Sequence, residues 1–217
     1  CMPPIDSATR LCAVIGNPVE HSLSPAIHNA AFQAARLNYI YLAFRVEHVK
    51  PCLDGMRALD GFRGMSVTIP HKVTVMEHLD YIDPMALKVG SVNTVTRENG
   101  RLLGSTTDGR GALRAFHEAG TGLAGKNVLM LGAGGAVRAV AFAIAELERP
   151  ARLTILGRNP ERVQALVDDL AHRTGVDAAA GALAEDLPAA MNTHDILIQG
   201  TPAGMYPDRT RQSLVPA

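Results

Sequence analysis

A glycine-rich turn between an apolar strand and an apolar helix constrains this sequence more than any other feature. The turn is Gly132-Ala133-Gly134-Gly135-Ala136. Residues 127–131 before it have the composition of a short strand, and residues 137–147 after it are apolar on nearly every side, as in a buried helix. Glycines in such a turn let backbone amides approach a phosphate, and the helix N-terminus adds partial positive charge. The pattern predicts a nucleotide-binding βαβ unit, with a tight turn that binds no ligand as the alternative.

A second strand and helix follow, at residues 152–156 and 159–172. Asn159 is predicted to cap this helix, and Pro160 suits its first turn. Four apolar residues recur at helical spacing and should form its buried face: Val163, Leu166, Val167 and Leu170. The strict dinucleotide fingerprint is not fully met, because Val137 stands where glycine or alanine is usual.

The end of the second strand indicates which dinucleotide would bind. NAD sites usually carry an aspartate or glutamate there, about 20 residues after the glycine turn, which holds the ribose hydroxyls. This chain instead has Gly157-Arg158-Asn159, with Arg162 one helical turn later. A carboxylate would repel a 2′-phosphate, whereas guanidinium groups attract it and bind it through paired hydrogen bonds. The residues therefore predict NADP(H) rather than NAD(H); the alternative is that both arginines are solvated surface residues.

Composition excludes several classes of protein. Hydrophobic residues make up 47% of the 217, which is enough for a sizeable core, so disorder is not expected. The formal net charge is zero and no basic stripe is present, which argues against nucleic acid as the main partner. No apolar run approaches the roughly 20 residues of a membrane span, and no secretory signal pattern opens the chain, so we expect a cytoplasmic protein without a membrane partner. The three cysteines lack metal or redox spacing and are expected to be reduced thiols.

The first half of the chain alternates between strand and helix patterns. Strands are predicted at residues 11–15, 39–46 and 62–69, and helices from Pro25 onward and at 49–59 and 73–79. Such alternation favours an α/β fold with a mostly parallel sheet. The glycine-rich stretch 120–125 is the best candidate boundary between this lobe and the glycine-turn unit.

Two serines beside a predicted helix start could bind a small anion. Ser24 is predicted to be the N-cap of this helix, with Pro25 in its first position, and Ser22 precedes it by two residues. Hydroxyls beside a helix N-terminus suit a carboxylate. The alternative is a capping serine and a loop serine with no ligand. His21 and His28 lie nearby, but no cysteine or carboxylate cluster accompanies them, so no metal site is predicted.

Four polar residues are candidates for contact with a ligand, and in open α/β sheets ligands bind where the strands end. Thr68 and Lys72 follow the third predicted strand, which Pro70 ends. A lysine there can exchange protons with a ligand, although an exposed lysine would show the same spacing. Asn93 lies within a strand-like run, where a polar side chain needs a hydrogen-bonding reason. Asp108 opens a helix, where the dipole favours a carboxylate; an ordinary acid at a helix start is the alternative.

Taken together and in order, these motifs resemble the shikimate dehydrogenase family over nearly the whole chain. The matching stretches are Gly16-Asn17-Pro18, His21 to Pro25 with His28-Asn29, Val67 to Lys72, Val92-Asn93-Thr94, Thr107-Asp108-Gly109, Gly132 to Ala136, Arg158 to Arg162, and Gly200 to Met205. The resemblance implies reversible, NADPH-dependent reduction of 3-dehydroshikimate to shikimate by a monomer or homodimer.

The resemblance also implies a division into lobes and a role for each motif. It implies an N-terminal α/β substrate-binding lobe over residues 1–105, a connecting helix and linker over 106–122, and a Rossmann-type NADP-binding lobe over 123–217. Lys72 and Asp108 match the catalytic pair of the family. The substrate-binding positions are Ser22, Ser24, Thr68, Lys72, Asn93 and Asp108. The cofactor-binding positions are Gly132, Ala133, Gly134, Gly135, Ala136, Arg158, Asn159, Arg162, Thr201 and Met205.

The chain departs from the family pattern at several points. Ser66 and Thr106 stand where the family usually has asparagine, and Gly157 replaces the usual asparagine before the cofactor arginine. Family members continue beyond the position of Ala217, so the C-terminal lobe is expected to be incomplete and to lack a substrate-contacting glutamine. A relative that acts on quinate or on an amino analogue is the close alternative, and a non-catalytic dinucleotide-binding module is the remote one.

Overall fold

The computed structural model describes residues 5–204 and 213–214. The chain folds as two compact units, the first ending at Thr107 and the second beginning at Asp108. Both units are α/β, as the sequence predicts. Over the described residues, no helix combines the length and the apolar character needed to cross a membrane.

The first unit is built on a six-stranded sheet with strand order β2-β1-β3-β5-β6-β4. Its elements are β1 (Arg10–Gly16), α1 (Ser24–Ala34), β2 (Tyr39–Arg45), α2 (Val49–Ala58), β3 (Phe62–Val67), a 3₁₀ turn (Thr74–His78), β4 (Tyr81–Ile82), α3 (Pro84–Val89), β5 (Thr94–Glu98) and β6 (Arg101–Ser105). Strands β1, β2 and β3 are parallel, whereas β5 is antiparallel to β3 and β6. The hairpin between β5 and β6 turns through Asn99 and Gly100, both with positive φ.

Strand β1 lies inside the sheet and presents apolar residues to both faces. Ala13 and Ile15 face a core that includes Phe62 of β3 and Leu53 of α2. Val14, on the opposite face, packs with Tyr41. A strand buried on both faces reads as a continuous apolar run, which is why residues 11–15 of the sequence show no alternation.

Helix α1 attaches to the sheet differently from its sequence pattern. The predicted N-cap at Ser24 is wrong by one position: Leu23 is the N-cap, and its side chain makes no capping bond. Ile27 of this helix is 62% exposed, and none of the helix's residues is fully buried. The helix instead docks through Asn29, whose carboxamide donates to the Tyr41 carbonyl and accepts from the Tyr41 N–H, both at 2.9 Å. The ring of His28 stacks on that of Tyr41, with centroids 4.3 Å apart.

The second unit carries a four-stranded, wholly parallel sheet with order β10-β7-β8-β9. Its elements are α4 (Asp108–Glu118), β7 (Asn127–Leu131), α5 (Gly135–Leu147), β8 (Arg152–Gly157), α6 (Pro160–Thr174), β9 (Ala178–Ala182), α7 (Leu183–Met191) and β10 (Ile196–Gln199). Helix α5 buries seven of its residues, as its apolar composition predicts. The predicted face of α6 is confirmed, because all four of its apolar residues are buried. Helix α4 packs on α5 within this unit. The resemblance to the family assigns it to a connecting segment, residues 106–122.

Asp80 makes the first unit sensitive to acid. Its carboxylate accepts the Leu102 N–H at 2.7 Å and a hydrogen bond from the Arg57 guanidinium, and these bonds hold the pKa of Asp80 below its ordinary value of 3.8. Because the folded-state pKa lies below the unfolded one, the stabilisation is complete well above pH 3.8 and is lost as the pH falls toward the lowered value.

We predict that Asp80→Asn flattens the fall in unfolding free energy below about pH 5, because the asparagine oxygen still accepts the Leu102 bond but does not titrate. Urea unfolding at a series of pH values from neutral to strongly acidic measures the slope. Asp60→Asn, at an exposed carboxylate, is the matched control. The same acid slope in the Asp80→Asn variant and the unmodified protein would contradict the assignment.

Candidate cofactor and substrate sites

The glycine turn of the second unit adopts a backbone that requires glycine. Gly132, directly after β7, has φ of 107°, a region that side chains disfavour. A Cβ atom there would also lie 3.2 Å from Thr201 Cγ2 and 3.4 Å from the Gly200 carbonyl oxygen. Gly134 is the N-cap of α5, so the first N–H groups of this buried helix open onto the turn. The turn therefore offers backbone donors and a helix N-terminus, as the sequence predicts.

Val137 fits because the chain has a glycine opposite it. Its side chain is 2% exposed, and a Cβ atom on Gly200 would come within 2.3 Å of Val137 Cγ2. The strict fingerprint makes room at this point with a small residue at position 137. Here the room comes instead from Gly200, which has no side chain, in the loop after β10. The departure from the fingerprint does not disturb the turn.

An open cavity of about 220 Å³ lies against the turn, at the carboxyl ends of β7, β8 and β10. Its lining residues are Gly132, Ala133, Gly134, Gly157, Arg158, Asn159, Arg162, Val163, Leu183, Gly200, Thr201 and Pro202. Both predicted arginines line it, and no carboxylate is among these residues. The electrostatics of this lining suit an anionic ligand with an additional phosphate.

The end of β8 explains two further features of the motif. Asn159 accepts the Arg162 N–H at 2.9 Å and caps α6, as predicted, which places Arg162 in the first turn beside the cavity. A Cβ atom on Gly157 would lie 2.6 Å from Val163 Cγ2. Close packing of α6 on the end of β8 is therefore the physical reason for glycine at position 157.

Gln199 organises the loop that closes the cavity on the β10 side, and the sequence analysis missed it. Its carboxamide accepts the Thr201 N–H at 2.8 Å and donates to Thr201 Oγ1 at 2.9 Å and to the Ala203 carbonyl at 3.2 Å. A glutamine that ends an apolar strand just before Gly200-Thr201-Pro202 was the available signal. Met205, also predicted to bind the cofactor, lies outside the described residues.

In the first unit, the loops that leave β1 and β3 are joined by backbone hydrogen bonds. Thr68 N–H donates to the Ile15 carbonyl and Asn17 N–H to the Ile69 carbonyl, both at 2.9 Å. A Cβ atom on Gly16 would lie 2.4 Å from Thr68 Cγ2, so the Gly16-Asn17-Pro18 turn passes directly over Thr68. The loop carrying the two serines continues from this turn.

Lys72 and Asn93 are brought together at the same edge of the sheet. Val92 N–H donates to the Lys72 carbonyl, and Val67 N–H donates to the Asn93 carbonyl, both at 2.8 Å. These bonds place the loop before β5 beside the loop after β3. Thr68, Lys72 and Asn93 thus share one edge, although the first two and the third come from separate stretches of sequence.

The remaining predicted positions have distinct surroundings. Ser22 Oγ accepts the Ser24 N–H at 3.3 Å, so this pair is linked at the start of α1. Ser66 Oγ accepts a 2.7 Å bond from the hydroxyl of Tyr41, and burial raises the pKa of that tyrosine. Thr106 is 8% exposed, and its hydroxyl oxygen has no hydrogen-bond partner in the part of the chain that the structure describes.

Asp108 is the first residue of α4 in the second unit. The following residue, Gly109, allows close packing, because a Cβ atom there would lie 2.4 Å from the Ala139 carbonyl oxygen on α5. The backbone next to Asp108 is therefore held against the helix that follows the glycine turn. No group of three histidine, cysteine, aspartate or glutamate side chains that could hold a metal occurs among residues 5–204 and 213–214.

The second unit has the parallel sheet, glycine turn and arginine-lined cavity of a Rossmann-type dinucleotide-binding protein. Family models described as the shikimate dehydrogenase substrate binding domain and as shikimate / quinate 5-dehydrogenase match residues 14–95 and 114–209. The shikimate dehydrogenase (NADP(+)) of Methanococcus maripaludis is 44% identical over 216 residues, covering 98% of this chain and 75% of that protein. The chain belongs to the shikimate dehydrogenase family.

Two solved structures extend the likeness to the fold. A shikimate dehydrogenase in complex with NADP+ has a TM-score of 0.87 and 40% identity, covering 98% of this chain and 73% of that one. Shikimate 5-dehydrogenase from Listeria monocytogenes, in complex with shikimate and NAD, has a TM-score of 0.92 and 33% identity, covering 100% and 76%. The two-lobed α/β fold expected from the sequence is confirmed by these neighbours.

We predict that Gly200→Ala destabilises the protein by about 1–3 kcal/mol, because the new methyl group overpacks against Val137. In a Val137→Ala background the same change should cost close to nothing, because the clashing methyl is gone. Urea unfolding of the unmodified protein, both single mutants and the double mutant measures the cost of Gly200→Ala in each background. Gly122→Ala, where a Cβ atom meets nothing within 4 Å, is the matched control. An equal cost in both backgrounds would show that Val137 does not depend on Gly200.

Proposed function

We propose that this protein is an NADP-dependent shikimate dehydrogenase that reversibly reduces 3-dehydroshikimate to shikimate. The observation that carries the proposal is the cavity at the glycine turn, which two arginines line without a carboxylate. The names of the curated relatives, at 40–44% identity, support the same activity and cofactor.

The residues around the cavity fit NADP(H). The Gly132 turn and the α5 N-terminus offer backbone N–H groups to the pyrophosphate. Arg158 and Arg162 offer guanidinium donors to the 2′-phosphate, which NAD lacks. Thr201 belongs to the loop that Gln199 fixes beside the turn. When bound, NADPH supplies the hydride that the ring ketone receives.

The first unit would hold the ring acid. Ser22 and Ser24 bind its carboxylate with hydroxyl donors, and Thr68 and Asn93 bind its ring oxygens. Lys72 donates a proton to the oxygen that becomes an alkoxide as the ketone carbon is reduced, so that the product is a neutral alcohol. Asp108 holds Lys72 in place and accepts a hydrogen bond from a substrate hydroxyl. Lys72 then regains a proton from solvent.

Cofactor oxidation followed at 340 nm with 3-dehydroshikimate, with 3-dehydroquinate and without substrate tests the proposed activity. Turnover is expected with 3-dehydroshikimate at a higher kcat/KM than with 3-dehydroquinate. A reversed order would identify a relative that acts on quinate. Cofactor binding with no turnover of any ring acid would identify a non-catalytic dinucleotide-binding module.

Arg158 should determine the choice of cofactor. We predict that the unmodified protein favours NADP(H) over NAD(H) by at least tenfold, or about 1.4 kcal/mol, and that Arg158→Ala removes the preference while NAD binding hardly changes. Calorimetric titration with both cofactors measures this. Arg114→Ala, at an arginine paired with Glu118 on α4, is the matched control. Equal affinity of the unmodified protein for both cofactors would refute the prediction.

Lys72 and Asp108 should act as one unit in proton transfer. We predict that Lys72→Ala lowers kcat by about 10²–10⁴-fold with a smaller effect on KM, because its proton matters most in the transition state. Asp108→Asn should also be severe, and the double mutant should be little worse than the worse single mutant.

Lys50→Ala, at a lysine of α2 that pairs with Asp54, is the control for loss of a positive charge from the first unit. Steady-state kinetics of the unmodified protein, the two single mutants, the double mutant and this control test whether Lys72 and Asp108 act together. Near-normal turnover in Lys72→Ala would leave Lys72 as a binding charge only. Multiplicative losses in the double mutant would mean that the two residues act independently.

A further inference from the structure

The loop after β10 forms one wall of the cavity, through Gly200, Thr201 and Pro202. Pro202 has no N–H group. The Gly200 N–H donates to the Leu131 carbonyl of β7 at 3.0 Å, and in the part of the chain that the structure describes this is the one bond from an N–H group of the loop to a backbone carbonyl. The N–H groups of Thr201 and Ala203 bond to side chains instead. Side chains therefore determine the shape of this wall.

The Gln199 carboxamide holds the loop through three hydrogen bonds. Its Oε1 accepts the Thr201 N–H at 2.8 Å, and its Nε2 donates to Thr201 Oγ1 at 2.9 Å and to the Ala203 carbonyl at 3.2 Å. Thr201 Oγ1 also accepts the Ala203 N–H at 3.2 Å. Because a backbone N–H only donates and a carbonyl only accepts, the carboxamide fits in one orientation. One side chain thus fixes both polar backbone groups of Ala203, directly or through Thr201.

Gly200 makes this loop depend on such a restraint. A Cβ atom at position 200 would lie 2.3 Å from Val137 Cγ2, so Val137 requires glycine there. Glycine loses more conformational freedom on folding than any other residue, so a loop that contains it is harder to order. If the loop were ordered only when a ligand binds, the cost of ordering would be subtracted from the affinity.

The three bonds affect the position of the wall more than the stability of the unit. Gln199 is exposed and Thr201 is half-buried, so water would satisfy the same groups if the bonds opened, and the net loss of stability would be small. The wall nevertheless lies directly against the glycine turn, because a Cβ atom on Gly132 would be 3.2 Å from Thr201 Cγ2. A shift of this loop would change the space beside the turn.

We propose that Gln199 is a positioning residue that compensates for Gly200 by holding the cavity wall in place before the cofactor binds. Gln199 is not among the described residues that line the cavity, so it acts through Thr201. The inference rests on the proposed function, in which the cavity takes NADP(H), and adds a residue on which its affinity depends. The wall adjoins the turn that receives the pyrophosphate, which NADP(H) and NAD(H) share. Gln199 should therefore serve both cofactors equally, unlike Arg158.

A leucine at position 199 tests the positioning role. Gln199→Leu keeps much of the side-chain volume but removes all three bonds, and it should raise the dissociation constants of NADP+ and NAD+ by the same factor, about 3–10-fold. The KM for NADPH should rise similarly, whereas kcat and the KM for the ring acid should change less than about twofold. The melting temperature should fall by less than about 2 °C. Gln164→Leu, at an exposed glutamine of α6 that donates to Asp168, is the matched control and should change none of these values.

Two double-mutant cycles test how Gln199 acts. Thr201→Val removes the hydroxyl that Gln199 contacts, so Gln199→Leu combined with Thr201→Val should bind NADP+ little worse than the worse single mutant. In a Gly200→Ala/Val137→Ala background, alanine restricts the loop and the clashing methyl is gone. Gln199→Leu should then raise the dissociation constant by less than about twofold.

Several results would overturn the proposal. One is an unchanged NADP+ affinity in Gln199→Leu, and another is a loss confined to NADP+, which would place the effect at the 2′-phosphate. An equal loss in the unmodified and the Gly200→Ala/Val137→Ala backgrounds would show that Gln199 does not compensate for Gly200. A fall in kcat together with a much lower melting temperature would indicate general structural damage instead of positioning.

The restraint on the loop can be measured without a ligand. In protein labelled with ¹⁵N-threonine, the backbone N–H signal that is missing in Thr201→Val is that of Thr201. Its hydrogen exchange should be several-fold faster in Gln199→Leu than in the unmodified protein or in Gln164→Leu. Equal exchange rates in the three proteins would refute the positioning role. If the unmodified protein binds neither cofactor, the proposed function fails, and this measurement still decides whether Gln199 holds the loop.

Discussion

Backbone hydrogen bonds bring substrate-binding positions that are predicted in the first unit to one edge of its sheet. The loops after β1 and β3 are joined by the bond from Asn17 to Ile69, and the loop before β5 is joined to β3 by the bond from Val67 to Asn93. Because β5 runs antiparallel to β3, the start of β5 lies at the edge where β3 ends. Residues separated by more than twenty positions in sequence are thereby placed at one edge.

In the second unit, the lack of a side chain at three glycines allows the close packing around the turn. Gly132, Gly157 and Gly200 each leave room for a specific neighbour, and a methyl group at any of them would meet another atom within 3.2 Å. At Gly200 the neighbour is the β-branched Val137, whose stiff side chain cannot move aside easily. Each glycine of the motif is therefore matched to one neighbouring side chain. Its tolerance of a bulky residue at one position depends on a small one elsewhere.

The sequence predicts those features whose causes are local. The cap at Asn159, the buried face of α6 and the glycine turn are all specified within a few residues, and the structure confirms them. The roles of Asn29 and Gln199 are not visible in sequence, since each is defined by the positions of its partners in the fold. Strand β9 is alanine-rich and has little intrinsic strand preference, and its pairing with β8 determines its structure.

The contact between Asn29 and Tyr41 has a consequence for solubility. Strand β2 is the last strand on its side of the sheet, and its outward N–H and C=O groups would otherwise be a template for another chain. The Asn29 carboxamide occupies one donor and one acceptor at the middle of that edge, as a neighbouring strand would. Helix α1 therefore shields this edge of the sheet from pairing with a strand of another chain. Fraying of this helix, which has no fully buried residue, would expose the edge to intermolecular strand pairing before the core itself unfolds.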